Sequence, residues 1–567
     1  MLKRRAWRAL AAALAVMTGT AGAEGYRTAA DTEQVLRRAA AANLDTFEFS
    51  ELARDAADNP VWLFRAGPER PGGPAMLVAA GLDGRHIVGS EIALRFIERL
   101  ADGSEESEKL LSEHTIYVVT NMNPAGLATW FDSPTRAHSG STGASDSDHD
   151  GESGEDLAED LDGDGAIRMI RVKHPRGTHI ADGKDGAFAR PADAMKGERG
   201  EWLILSEGRD NDGDERWNEE EDGAVSVARN FPTDFPWFEK GSASNPADQP
   251  QVHALIDFLY DNPQIGTVVV LGTEDNLLTA PDPEKTTDPD VKGGRWGRKP
   301  SSLPNKNDLP LLRKVAEEYR KSLGLKGEVS TPGASDAAQG GLARFASVAL
   351  GRFAVATPVW TSNMQLALLP ELSDEEKKAL PENGEIAKLQ RFRDWLVERD
   401  PQGWAAWKPI KHPDFPDHDA EAGGFAPHAR IVPPPALLDD LATTHTLFLM
   451  ETARRAPKVA IESAELKRLE RGLFELRLAV RNDGFLPDVL HQGVYSSLVR
   501  PTRIEIEGAD VLDGPERIKL EPLAGNGGRT EMRRVVHLND GGKTLTVRLV
   551  SDMAGRDERV LRTDDAE

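Results

Sequence analysis

Within residues 76–100, MLVAAGLDGRHIVGSEIALRFIERL, an acid and an imidazole stand three apart, Asp83 and His86. Carboxylate and imidazole both ligate cations such as zinc. Both residues lie at the break Gly81-Leu82-Asp83-Gly84, so both can turn toward one point. The apolar run 76–82 predicts a buried strand, and the spacing of Ile92, Phe96, Ile97 and Leu100 predicts a helix. A strand that runs through a tight loop into a helix sets the loop at the rim of a sheet, where α/β folds bind ligands.

A second cation chemistry is written in alternating aspartates. Asp146, Asp148 and Asp150 precede Gly151; Asp160, Asp162 and Asp164 precede Gly165; Asp210, Asp212 and Asp214 have Glu221 at the twelfth position. A chain that curls around one ion aims every second carboxylate inward, and a glycine permits the sharp turn, so this spacing predicts calcium. Glu215 stands where the third loop expects a glycine, and Arg171 where the second expects a bidentate acid. The plainer reading of such a charge run is a solvated acidic loop. His412, His418 and His428 form a further candidate cluster in a stretch rich in Pro and Asp.

The elements that must carry these residues span 567 positions, 39% hydrophobic, enough for one large core and a smaller second one. Residues 1–23 have the pattern of a secretory signal: Lys3, Arg4, Arg5 and Arg8, an apolar run 9–17, then Ala21-Gly22-Ala23. That run is too short to span a bilayer, so the expectation is a periplasmic or secreted protein without a membrane span. Cysteine is absent, which leaves packing or bound ions to stabilise the fold. Between Asp146 and Asp222, 24 acidic residues face 10 basic ones, a net −14 that repels nucleic acid and suits hard cations.

Apolar runs at 61–64, 76–80, 115–120, 267–271 and 353–356 alternate with helical patterns at 28–45, 249–260, 311–323, 386–398 and 436–454. That alternation predicts an α/β fold, with spacing too irregular for a simple doubly wound unit. The segment 133–225 reads as an acidic insert with few apolar runs. Past residue 456 the texture changes to short alternating runs separated by Gly, Asn and Asp, the pattern of an antiparallel β-sandwich. The division is therefore a signal at 1–23, a main domain at 24–455 and a sandwich at 456–567.

The order of motifs resembles the zinc carboxypeptidases of the carboxypeptidase A type, in particular an exported bacterial branch with an aspartate-rich insert and a C-terminal β domain. The matching pieces are 81–91, 121–126 (NMNPAG), 227–232 (VARNFP), 268–278 and, more loosely, 342–360. The resemblance implies a carboxypeptidase-like mixed β-sheet flanked by helices. It implies a zinc held by two His and one Glu, with a Glu base beside it. At the matching positions stand Asp83 and His86 for the first two ligands and Gly272 for the third. Pro358, with Thr357 beside it, stands for the base. Arg229 matches the arginine that grips a terminal carboxylate, with Asn230 beside it and Ala228 in place of an asparagine. Asp336 matches the covering tyrosine.

Three metal positions and the base have thus changed type, and loss of the base alone typically lowers rates by about 10²–10⁴. The reading is an exported family member with a degenerate zinc site, binding peptide or cell-wall fragments through Arg229 and presenting its sandwich to an unidentified partner. Two alternatives stand beside it. One is an active metallocarboxypeptidase with an unusual Asp83/His86 pair, completed by Glu274 on the same strand face as Gly272. The other is a calcium-stiffened structural or adhesive module.

Overall fold

The computed structural model describes residues 25–68, 73–131, 136, 140–141, 159–211, 213, 215, 217, 225–239, 241–282, 304–331, 338–470, 472–538 and 543–565. In the first 455 residues the strands are β1 (Phe47–Arg54), β2 (Pro60–Ala66), β3 (Ala75–Ala80), β4 (Thr115–Val119), β5 (Met169–Lys173) and β6 (His179–Asp182). They continue with β7 (Phe188–Pro191), β8 (Trp202–Ser206), β9 (Ile265–Leu271), β10 (Phe353–Thr357), β11 (Trp404–Ile410) and β12 (Ala420–Phe425). The principal helices are α1 (Ala29–Ala42), α2 (Ile87–Leu100), α3 (Glu105–Glu113), α4 (Pro124–Thr129), α5 (Pro250–Asp261), α6 (Leu309–Ser322), α7 (Gly384–Val397) and α8 (Leu438–Arg454).

The central sheet is mixed, in the order β1-β2-β4-β3-β9-β10, with β4, β3, β9 and β10 parallel. Those four strands are almost wholly apolar because both faces are covered, as parallel pairing requires. Alternation splits β3 between two cores. Met76, Val78 and Ala80 join the helices α1, α2, α6 and α8, while Ala75, Leu77 and Ala79 join α5. The strand β1 was not predicted; it alternates acids with apolar residues on the sheet edge, where half its side chains meet water.

The acidic insert departs from expectation. Rather than an irregular loop, it supplies β5–β8, which join β11 and β12 in a second six-stranded sheet, ordered β11-β12-β5-β8-β6-β7. Its strands are four or five residues long, and the β5 ladder partner β12 comes from far along the chain, so local periodicity carries little of it.

The predicted C-terminal sandwich forms from β13 (Val459–Glu470), β14 (Leu473–Asn482), β15 (Arg503–Glu507), β16 (Asp510–Val511), β17 (Arg517–Lys519), β18 (Gly528–His537), β19 (Thr544–Ser551) and β20 (Gly555–Arg562). Its two antiparallel sheets, β13-β14-β18-β16 and β17-β15-β19-β20, close on one apolar core. It is tied to the α/β part through polar contacts. Asp308 accepts from the backbone N–H groups of His491 and Gln492, and buried Arg352 donates to the Pro263 carbonyl and to Met553 Sδ. The signal-like stretch lies outside the described residues, and among those no helix is long and apolar enough to cross a membrane.

Close approach of α2 to the sheet rests on Gly89. A Cβ placed there would lie 2.3 Å from the Leu271 carbonyl oxygen at the end of β9. Gly89→Ala is therefore expected to lower stability by about 1–3 kcal/mol through overpacking against backbone, read as a lower urea midpoint with unchanged m-value.

Candidate functional site

The parallel strands end in register, Ala80 opposite Leu271 and Leu271 opposite Thr357, so the loops after β3, β9 and β10 meet at one edge. The loop after β4 joins them: Asn123 caps α4 by accepting from the Gly126 N–H, and the Met122 N–H donates to the Ala80 carbonyl. The motif pieces 81–91, 121–126, 268–278 and 342–360 thus converge. At their centre lie Asp83 and His86, both buried.

Among the described residues, they belong to no group of donors able to hold one ion. Asp83 faces its own neighbour: Arg85 donates to its carboxylate from the backbone N at 2.9 Å, Nε at 3.1 Å and Nη2 at 2.9 Å. His86, at the N-cap of α2, places Nε2 at 2.7 Å from the Pro358 carbonyl oxygen. A carbonyl only accepts, so the proton sits on Nε2. The remaining lone pair, on Nδ1, is buried without a hydrogen-bond partner and faces the first turn of α2, where a Cβ on Gly89 would come within 3.1 Å of it. Burial pushes the His86 pKa down, against the pull of the Pro358 carbonyl and Asp83, and holds the ring neutral.

The other expected positions agree with this. Gly272 has no side-chain donor; among the described residues, a Cβ there would touch only Val270 Cγ1, at 3.5 Å. Glu274 is buried, but its carboxylate is tucked under the turn Leu342–Arg344, accepting from the Ala343 N–H at 3.2 Å. Burial raises its pKa to about 7, opposed by the Ala343 N–H and Arg344. Among the described residues, Asp83, His86 and Glu274 do not form a group able to hold one ion. The family's zinc therefore does not fit the residues present, and the completed Asp83/His86/Glu274 site is not assembled.

Where a base would stand, β10 ends in a tight turn. The Trp360 N–H donates to the Pro358 carbonyl at 2.5 Å across Val359, a buried β-branched residue with φ 63°. This γ-turn geometry is rare and strained. One carbonyl oxygen thus accepts from both Trp360 and His86. Beneath it runs a buried chain that sequence reasoning missed. Thr357 Oγ1 lies 2.7 Å from the Tyr319 hydroxyl, which lies 2.9 Å from His445 Nε2, while His445 Nδ1 meets the Leu441 carbonyl at 2.7 Å. Burial drives the His445 pKa down to about 4.

Arg229 and Asn230 have partners of their own. Arg229 pairs with Glu239 and donates to Gln339 Oε1 at 3.2 Å. Asn230 is fully buried, donating to Asp248 and accepting from the Gln249 N–H. His412 and His428 contact different backbone carbonyls, those of Gly208 and Arg136, and among the described residues the three histidines form no group able to hold one ion.

Of the calcium-type residues, Asp146, Asp148, Asp150, Asp212, Asp214 and Glu221 lie outside the described residues, as does Asp336. Asp160 and Asp162 come together with Glu207, carboxylate oxygens within 4.8 Å of one another. Glu207 was not anticipated; it arrives after β8, distant in sequence, and accepts from the backbone N–H groups of Leu161, Asp162 and Arg168. Asp164 turns away to pair with Arg168, and Asp210 closes its own loop by accepting from the Gly213 and Glu215 N–H groups.

Comparison with known proteins gives two family matches. Residues 32–156 match the zinc carboxypeptidase model, and residues 458–562 match a model described as a domain of unknown function, DUF8731. No curated protein matches the chain. Solved structures that resemble it include carboxypeptidase A from Helicoverpa armigera, 11% identical, covering 58% of this chain and 64% of that one, TM-score 0.36. Bovine thrombin-activatable fibrinolysis inhibitor, in complex with a tick carboxypeptidase inhibitor, is 10% identical over 76% and 96% of the two chains, TM-score 0.34. A metallo-carboxypeptidase from Burkholderia cenocepacia is 23% identical over 18% of this chain and 28% of its own, TM-score 0.17.

Glu274 sets a pH signature. Its folded pKa of about 7 exceeds the ordinary 4.5, so the folded state holds the proton more tightly, and the stability it contributes at low pH is lost as pH rises through 7. A shift of that size corresponds to about 3 kcal/mol. Glu274→Gln is expected to remove this part of the fall in stability between pH 5 and pH 8, measured as urea midpoints at both pH values.

Proposed function

We propose that this zinc carboxypeptidase-like chain is an exported protein that retains the peptidase scaffold without hydrolysing peptides, and uses it to bind peptide or cell-wall fragments. The observation that carries this reading is the bond from His86 Nε2 to the Pro358 carbonyl, which commits that ring nitrogen to the protein and leaves the buried Nδ1 facing the first turn of α2. Zinc chemistry of this kind needs three converging protein donors, an open position for water and a base. Here an arginine holds the acid, a carbonyl holds the imidazole, and glycine and proline stand at the remaining places. Glu239 already neutralises Arg229, so a ligand carboxylate that used Arg229 would first displace Glu239.

Protein purified without chelator is expected to contain no stoichiometric zinc and to leave peptides with free C-termini uncleaved. Stoichiometric zinc that disappears in the Asp83→Ala/His86→Ala double variant, together with hydrolysis lost in the same variant, would establish the active enzyme instead.

A structural calcium is supported separately, by the approach of Asp160, Asp162 and Glu207. Glu207 occupies the role for which Arg171 was unsuited, closing the loop from a distant strand. An ion bound only by the folded state raises Tm in proportion to the logarithm of its concentration. Calcium is expected to raise Tm in the native protein and to have no effect on Glu207→Gln; an equal rise in both would place the ion elsewhere.

A further inference from the structure

On the inserted sheet, lined by none of Asp83, His86 and Pro358, lies an aromatic groove of about 430 Å³ whose rings are Phe188, Trp404, Trp407 and Phe425. Volumes of this order suit small ligands. Its rings are held in place. Trp407 Nε1 donates to the Ala187 carbonyl at 2.7 Å, Trp404 meets Phe425 edge-on at 4.7 Å, and Arg393 lies over both Phe188 and Trp404. Arg171 is sandwiched between Trp202 and Trp407, at 4.8 and 4.6 Å, and buttresses the sheet. Rings fixed beforehand lose little freedom when a ligand stacks on them.

The charge of the groove is opposite to that of the protein. The chain carries a formal −25, yet among the described residues no acid lines this groove, whose charged lining residues are Arg168 and Arg430. Arg168 is committed: its Nε pairs with Asp164, and its Nη2 donates to the Gln402 carbonyl at 3.0 Å. Arg430 is exposed as a residue, and among the described residues its guanidinium makes no hydrogen bond or ion pair; partial desolvation lowers its pKa, against the pull of Glu385. With Arg168 balanced by Asp164, Arg430 is the lining cation left without a hydrogen bond or ion pair beside an apolar floor, and Glu385, which does not line the groove, acts on it only through space. One guanidinium offers a planar fork that matches one carboxylate, whereas a phosphate dianion would keep an unbalanced charge.

From this we infer that the groove binds a small monocarboxylate with an aromatic body, the ring stacking on Trp404 and Trp407 and the carboxylate meeting Arg430. This site goes beyond the proposed function and does not involve Arg229, Asp83 or His86.

The test is isothermal titration of the full chain with N-acetyl-L-phenylalanine, N-acetyl-L-phenylalaninamide and phenyl phosphate. For the acid, a Kd of about a millimolar or tighter is expected for a ligand of this size. The charged hydrogen bond should make the acid bind about tenfold or more tighter than the amide. Arg430→Gln, at an exposed position, should keep the native Tm and lose that preference. Equal affinity for acid and amide, stronger binding of phenyl phosphate, undiminished acid binding by Arg430→Gln, or no binding at about 10 mM would each overturn the assignment.

Discussion

The in-register parallel pairing of β4, β3, β9 and β10 is the constraint on which the rest depends. Because Ala80, Leu271 and Thr357 align, loops separated by hundreds of residues emerge at one edge. Only that alignment lets His86, after β3, reach the carbonyl of Pro358, after β10, past the end of the intervening strand β9. At that edge Arg85 holds the Asp83 carboxylate and the Pro358 carbonyl holds His86 Nε2, while His86 Nδ1 stays buried without a partner. The scaffold thus imposes proximity, and the residue types decide whether proximity becomes coordination or packing.

That division explains what the sequence makes legible. Strands such as 115–120 and 267–271 are read directly, because two-sided burial leaves a continuous apolar run. The altered types at Asp83, His86, Gly272 and Pro358 are equally plain. Their partners are not. Nothing near Pro358 announces that Val359 adopts a positive φ, or that its neighbour's carbonyl accepts from two donors. Likewise Tyr319 and His445 sit on separate helices, and only packing brings their polar ends to Thr357.

The insert teaches the complementary lesson. Its composition, dominated by Asp, Glu and Gly, argues against ordered structure, yet short strands there pair with β12 and enclose a small core of Ile170, Val172, Ala420 and Ala422. Leu161, Leu203, Leu205, Ile410 and Phe415 pack against these four, and hydrogen-bonded ladders and loop-closing carboxylates supply further order. Glu207 shows the mechanism: one buried side chain joins both ends of the 160–168 loop through three backbone donors. Acidic spacing was visible along the chain, whereas the acid that completes the group enters from across the sheet.

Gly81, Gly89 and Gly272 border the same edge but differ in how freely they can drift. Gly81 has φ 63°, and a Cβ there would press on Asn121 Oδ1 and Ser90 Oγ; Gly89 is hemmed in by the Leu271 carbonyl. Gly272 faces little beyond Val270. Exploration of this rim is therefore channelled: a Cβ meets only ordinary contact among the described residues after β9, and meets backbone at the start of α2. Any new chemistry the scaffold acquires at this rim has its most permissive entry at position 272.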